Sequence, residues 1–193
     1  MPRLAVFCGA SSGHDPVYAA AAGALGRLLA GRGLGLVYGG GKVGLMGLIA
    51  DTVLAAGGEV IGVMPRDLFP KEIDHPGLTE LREVASMHER KALMADLADG
   101  FIALPGGYGT LDEFCEILTW AQLGLHRKPC GLLNVAGYYT AFLEFLNHAS
   151  GQGFIQPQFR ALVLAETEPA RLLDRLAAYE PPAVRRWLNE AQR

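Results

Sequence analysis

Two clusters of residues in this chain are equipped for chemistry on a phosphorylated molecule. The first is Pro105-Gly106-Gly107-Tyr108-Gly109-Thr110-Leu111-Asp112-Glu113. It follows an apolar run, Gly100 to Leu104, and precedes Phe114 to Leu125, whose apolar residues recur at helical spacing. A glycine-rich turn between a strand end and a helix start presents unpaired backbone N–H groups, and the helix dipole adds positive potential there. Such a turn cradles phosphate, and Glu113 brings a carboxylate to the same place. The second cluster is Ser86-Met87-His88-Glu89-Arg90-Lys91, again between a strand end and a helix start. A guanidinium suits a phosphate or a carboxylate partner. By position alone Arg90 and Lys91 read as surface charges; their place beside glycine loops makes them site candidates.

An alternation of strands and helices must position both clusters. Leu4 to Cys8 reads as a strand, Gly9 to Gly13 as a small-residue loop, and Asp15-Pro16 as the N-cap and first position of a helix running to about Ala30. Leu34 to Tyr38 is a second strand, Gly39 to Gly44 a second glycine loop, and Leu45 to Ala56 a helix. Val60 to Met64 is a third strand, ended by Pro65, and Arg66 to Thr79 reads as a long loop. A short strand, Glu80 to Val84, leads to a helix from His88 to Ala98, a strand from Phe101 to Leu104, and the helix from Thr110. Beyond lie a strand near Gly131 to Leu133, a helix from Tyr138 to about His148, a strand near Ala161 to Leu164, and a last helix from Pro169 to Tyr179. The fold class is α/β: a doubly wound, Rossmann-like parallel sheet with helices on both faces. It forms a single domain over residues 1–180, with a polar tail from 181 to 193.

Composition agrees. The 193 residues suffice for one well-buried domain, and 50% hydrophobic against 19% charged suits a compact protein with much internal sheet. A net charge of −3 argues against a broad nucleic-acid face. Cys8, Cys115 and Cys130 lie far apart, which reads as reduced thiols and a cytoplasmic setting. The chain enters its first strand without a leader pattern, and no apolar run reaches the ~18 residues of a membrane helix.

In doubly wound folds ligands bind outside the carboxyl ends of the strands. Three loops share that edge here: Gly9-Ala10-Ser11-Ser12-Gly13, Gly39-Gly40-Gly41-Lys42, and Pro105 to Thr110. Together they suit a nucleotide-sized anion, and they bring Ser12 and Gly40 into the candidate site. Gly39 to Gly44 also fits G-x-G-x-x-G, a weak pattern by itself. It follows the second strand, and the next strand ends Val63-Met64-Pro65-Arg66 with no acid for a ribose hydroxyl, which argues against a dinucleotide. Nor is it a Walker loop, because Leu36 and Val43 stand where Gly and Ser or Thr are required.

Pro105 to Glu113 matches a PGGxGTxxE signature, and Met87-His88-Glu89-Arg90-Lys91 matches the block that accompanies it. On these paired motifs the chain resembles the LOG ("Lonely guy") family, often labelled lysine decarboxylase-like, from Leu4 to about Leu164. The resemblance implies a cytokinin riboside 5′-monophosphate phosphoribohydrolase, which hydrolyses the N-glycosidic bond of a purine nucleotide to free base and ribose 5-phosphate. Many bacterial members also accept AMP, and members are dimers. Arg90 and Glu113 match the family's catalytic pair. Gly107, Tyr108, Gly109 and Thr110 match its phosphate loop, with Gly106 just ahead. Lys91 matches the residue after the catalytic Arg, and Glu72 and Thr119 align with substrate-contacting positions. Met87, which opens the second block, is assigned to the base. Asp112 stands where plant members often carry Glu. The implied partners are a purine nucleoside 5′-monophosphate and a second copy of the chain, with no nucleic acid, membrane, metal or cofactor.

The chemistry fits these residues. Glycosidic cleavage passes through a cationic, oxocarbenium-like sugar, which a nearby carboxylate stabilises while orienting or deprotonating water. Glu113 is assigned that role. Arg90 is left with three roles open: contacting phosphate, anchoring Glu113, or polarising the departing purine. Thr110-x-x-Glu113 is also a capping box, which would engage the carboxylate with the Thr110 backbone. Met46, Met94, Trp120 and Leu123 read as core or interface. His14, His75, His126 and His148 read as surface residues, and Cys8 as a buried strand thiol. The alternative function is a nucleotide- or molybdenum-cofactor-binding module without catalysis. A pyridoxal-phosphate decarboxylase needs a Schiff-base lysine, and Lys42, Lys71, Lys91 and Lys128 lie in no recognisable cofactor motif. The Phe114 to Leu125 helix is the expected dimer interface, with Thr119 near its seam.

Overall fold

The computed structural model describes residues 1–66 and 75–182. Seven strands, β1 (Arg3–Phe7), β2 (Gly35–Tyr38), β3 (Val60–Pro65), β4 (Glu80–Val84), β5 (Gly100–Ala103), β6 (Cys130–Leu133) and β7 (Val163–Glu166), form one sheet in the order β4-β3-β2-β1-β5-β6-β7. All six pairings are parallel. The order reverses between β1 and β5, whose register pairs Val6 with Ile102 and Phe7 with Ala103. The loops leaving these two strands therefore flank the switch point where such sheets bind ligands.

The helices are α1 (Pro16–Gly31), α2 (Gly44–Ala55), α3 (Met87–Leu97), α4 (Tyr108–Gln122), α5 (Thr140–Gly151), α6 (Pro157–Arg160) and α7 (Pro169–Ala177). Strand residues alternate between two cores. Leu4, Val6, Leu36, Tyr38 and Ile102 pack with α1, α2 and α7. Ala5, Phe7, Val37, Phe101 and Ala103 pack with α3, α4 and α5. Both faces are covered, so the central strands are apolar throughout and only the edge strand β4 is exposed. Asp15 caps α1 as expected, its carboxylate accepting from Val17 N–H at 2.9 Å.

Several expectations need correction. Strand β3 runs one residue further than expected, with Pro65 as its last residue, paired with Val84. Helix α4 begins at Tyr108 with Gly107 as N-cap and no side-chain cap, two residues before Thr110. Thr110 is therefore inside the first turn and buried, and it forms no capping box with Glu113. Helix α5 starts at Thr140, because a 3-10 turn over Val135–Gly137, with Ala136 at φ +49°, intervenes. The short α6 had no sequence signal. His75 is not a surface residue but is buried, and half-buried His126 makes a 2.8 Å hydrogen bond to the Ile117 carbonyl beside the Phe101 ring. Most of the expected 66–79 loop, and all but two residues of the polar tail, lie outside the described residues.

Candidate active site

Helix α3 presents Arg90 and Lys91 one turn in. Its start is fixed by Ser86, which accepts from Glu89 N–H at 3.1 Å, while Glu89 reaches back to accept from Ala85 N–H at 2.8 Å. Arg90 is only 8% exposed, and Glu113 on α4 only 9%. Arg90 Nη2 lies 3.6 Å from Glu113 Oε1, close enough for charge attraction but too long for a tight hydrogen bond. Arg90 Nη1 meets the Met87 sulfur at 3.7 Å. Its Nε is buried and has no hydrogen-bond partner. A buried donor without an acceptor costs about 1–3 kcal/mol, so the guanidinium is poised to gain from a ligand oxygen or nitrogen.

Burial pushes the Glu113 carboxyl above the usual carboxylate range. Arg90 pulls it down, Asp112 up, Lys91 down and Glu116 up. An acid tuned in this way, beside a partner charge, marks a candidate catalytic group. Lys91 is occupied differently. Its Nζ lies 3.1 Å from Asp112 Oδ2 and 3.1 Å from Glu116 Oε2, pinning α3 to α4. Burial lowers the ammonium's pKa, but the two carboxylates outweigh it, and the net direction is up.

The first turn of α4 carries the phosphate-cradle geometry. Its first intrahelical bond runs from Leu111 N–H to Gly107 O, so the N–H groups of Tyr108, Gly109 and Thr110 precede the ladder. Gly106 packs so closely on Thr110 that a Cβ would sit 2.1 Å from Thr110 Oγ1. The turn is held from outside by two tyrosines. Tyr138 Oη donates to Gly106 O at 2.7 Å and Tyr139 Oη to Leu104 O at 2.6 Å. From the other side Gly9 N–H donates to Pro105 O at 3.0 Å. Between these loops opens a cavity of about 370 Å³ lined by Ser12, Tyr18, Leu45, Gly106, Gly107 and Tyr138, within the roughly 300–1,000 Å³ of small-molecule sites. A second cavity of about 140 Å³ lies behind Ala10, walled by Gly39, Gly41, Met46, Met64 and Arg90.

The structure thus brings Ser12, Gly106 and Gly107 to one cavity and Arg90 to its neighbour, with Met87 and Glu113 against Arg90. Tyr108, 95% exposed, and Gly109 stand at the rim. Gly40 is turned away: its carbonyl accepts from His75 N–H at 3.0 Å. Thr119 donates to Cys115 O and faces a separate apolar groove with Leu118, Phe142 and Phe145. Glu72 lies outside the described residues. Sequence reading missed Gly39, Tyr18 and Tyr138. The glycine triplet held a clue to Gly39, whereas nothing local marks tyrosines that approach from the start of α1 and from the turn before α5.

A strand-ordered sheet with this paired motif has known counterparts. The family model described as "Possible lysine decarboxylase" matches residues 46–176. Across 179 residues, 93% of the chain, it is 52% identical to the Arabidopsis thaliana cytokinin riboside 5′-monophosphate phosphoribohydrolase LOG7, covering 82% of that protein. The chain belongs to the LOG family. Another relative, the Oryza sativa subsp. japonica cytokinin riboside 5′-monophosphate phosphoribohydrolase LOG, is 49% identical over 93% of the chain and 74% of its own length. The LOG-family fold here is also that of the molybdenum cofactor binding protein from Rippkaea orientalis, with a TM-score of 0.69, 21% identity, and coverage of 92% and 96%. At that identity the likeness speaks for the fold.

Among the described residues no helix is long and apolar enough to cross a membrane. Nor is any group of three or more His, Cys, Asp or Glu among them placed to hold a metal ion.

Proposed function

We propose that this protein hydrolyses the N-glycosidic bond of cytokinin riboside 5′-monophosphates, and of AMP, releasing free purine base and ribose 5-phosphate. The carrying observation is the buried Arg90–Glu113 pair, 3.6 Å apart, beside the open first turn of α4. Relatives about half identical bear the name of that activity.

In this reading the N–H groups of Gly107, Tyr108, Gly109 and Thr110 hold the 5′-phosphate, and Ser12 closes the opposite wall. Phosphate binding far from the breaking bond fixes the sugar over Glu113. Ionised Glu113 stabilises the oxocarbenium-like sugar and orients the attacking water. Arg90 opposes the upward effect of burial on the Glu113 carboxyl, and its unpartnered Nε meets an acceptor on the substrate. Lys91 supports α4 through Asp112 and Glu116. A Schiff-base role would require a lysine whose pKa is lowered; Lys91 is shifted the other way. The active form is a cytoplasmic homodimer, with the apolar groove around Leu118, Thr119, Phe142 and Phe145 as its interface.

Purified protein incubated with AMP and with isopentenyladenosine 5′-monophosphate, with products separated by chromatography, tests the reading. Free base with ribose 5-phosphate is expected. Nucleoside with inorganic phosphate, or bound nucleotide with no product, would overturn it.

A further inference from the structure

The Arg90 guanidinium rests on the loop after β2. A Cβ placed on Gly39 would lie 1.9 Å from Arg90 Nη2, so the guanidinium occupies the space a side chain would take. The adjoining residue, Gly40, adopts φ +82° and packs on β3, where a Cβ on Gly62 would come 2.9 Å from its Cα. The Gly40 carbonyl is taken by His75 N–H at 3.0 Å. His75 is itself clamped. Its Nε2 lies 2.9 Å from Asp51 Oδ1 on α2, and its Nδ1 accepts from Gly77 N–H at 3.2 Å. That acceptor role fixes the neutral tautomer, with the proton on Nε2 directed at Asp51. The imidazole is 8% exposed. None of these three partners, Asp51, Gly77 and Gly40, is assigned a substrate contact in the proposed reaction.

We infer that His75 is a positioning residue for the reaction proposed above: clamped by Asp51 and the Gly77 N–H, it latches the Gly39–Gly41 loop beneath the Arg90 guanidinium. The chain of contacts runs Asp51, His75, Gly40, Gly39, Arg90. Removing the ring frees the 75–77 segment, and the Gly40 carbonyl loses a fixed donor. The floor under Arg90 then becomes mobile, and the 3.6 Å relation to Glu113 is no longer held. Phosphate binding at α4, on the far side of β1, is untouched.

This inference rests on the phosphoribohydrolase reading, so it is tested with one readout that depends on turnover and one that does not. His75→Ala is expected to lower kcat about tenfold or more with KM changed less than about threefold, as misplacement of a reacting group does. His75→Gln keeps an N–H for Asp51 and His75→Asn keeps an acceptor for Gly77; each should recover part of kcat. Asp51→Ala, whose carboxylate is 70% exposed and therefore safe to remove, should give a smaller loss that adds nothing in the His75→Ala background. Independently of activity, hydrogen exchange of the 39–44 segment should accelerate in His75→Ala and Asp51→Ala. Unchanged exchange there, or wild-type kcat in a folded His75→Ala, overturns the latch. Failure of the wild type to release base overturns the functional reading alone, and the exchange result still decides the latch.

Discussion

Two glycine loops leave the same edge of the sheet, and their glycines serve opposite purposes. After β2, the space beside Gly39 is filled by the protein's own Arg90, at 1.9 Å from where a Cβ would be. After β5, a Cβ on Gly107 or Gly109 would meet nothing within 4 Å. Gly39 leaves room for a side chain, whereas Gly107 and Gly109 leave open space over the first turn of α4, where the proposed function places the phosphate. Similar glycine content therefore goes with a seat for Arg90 in one place and, in the proposed reading, with a phosphate cradle in the other. Which is which depends on what lies opposite, and that is a tertiary fact.

The sharpest way to break this comparison is to empty the seat. Arg90→Ala should cost roughly 10²-fold or more in kcat, the scale for losing one preorganised charged donor. It also removes the influence that lowers the Glu113 pKa. The carboxylate must be ionised to act, so the acidic limb of the pH–rate profile should move to higher pH, while Arg90→Lys should leave it near wild type. Gly39→Ala should displace the guanidinium and cost about tenfold to a hundredfold. In the Arg90→Ala background the same substitution should cost almost nothing; a loss of equal size there would show that Gly39 matters for another reason. Gly107→Ala should raise the KM for nucleotide severalfold, as a methyl group intruding on bound phosphate does, while thermal unfolding stays at the wild-type temperature. Gly109→Ala is the smallest effect and the most discriminating. An alanine in this helical turn should stabilise by about 0.5–1 kcal/mol, so Tm rises by a few degrees even as nucleotide affinity falls. A drop in Tm would mean that the second loop, like the first, is packed against protein.

Much of this was legible in the chain. Alternating apolar runs and glycine turns gave the doubly wound sheet. Asp15-Pro16 marked the start of α1, and the blocks around Arg90 and Glu113 identified the family. What escaped depended on contacts distant in sequence. Thr110-x-x-Glu113 has the spacing of a capping box, but Gly107 tolerates the N-cap conformation and starts α4 two residues early, which frees Glu113 for Arg90. The ion pairs of Lys91 with Asp112 and Glu116 join α3 to α4, 21 residues or more along the chain, and no local pattern marks them. His75 showed no partner because Asp51 and Gly40 lie 24 and 35 residues away. Tyr138, which holds Gly106, comes from the turn after the neighbouring strand β6, 32 residues further along the chain. Local pattern reveals elements and motifs, whereas second-layer partners appear only when the chain is folded.

The central claim is that Glu113 is chemical and that the α4 turn binds phosphate independently of it. The measurement that tests it most directly is the kcat for base release by Glu113→Gln beside the wild type, with the dissociation constant for AMP determined in parallel. The account predicts a loss of at least about two orders of magnitude in kcat with AMP binding preserved. Turnover near wild type, or binding lost together with turnover, would contradict it.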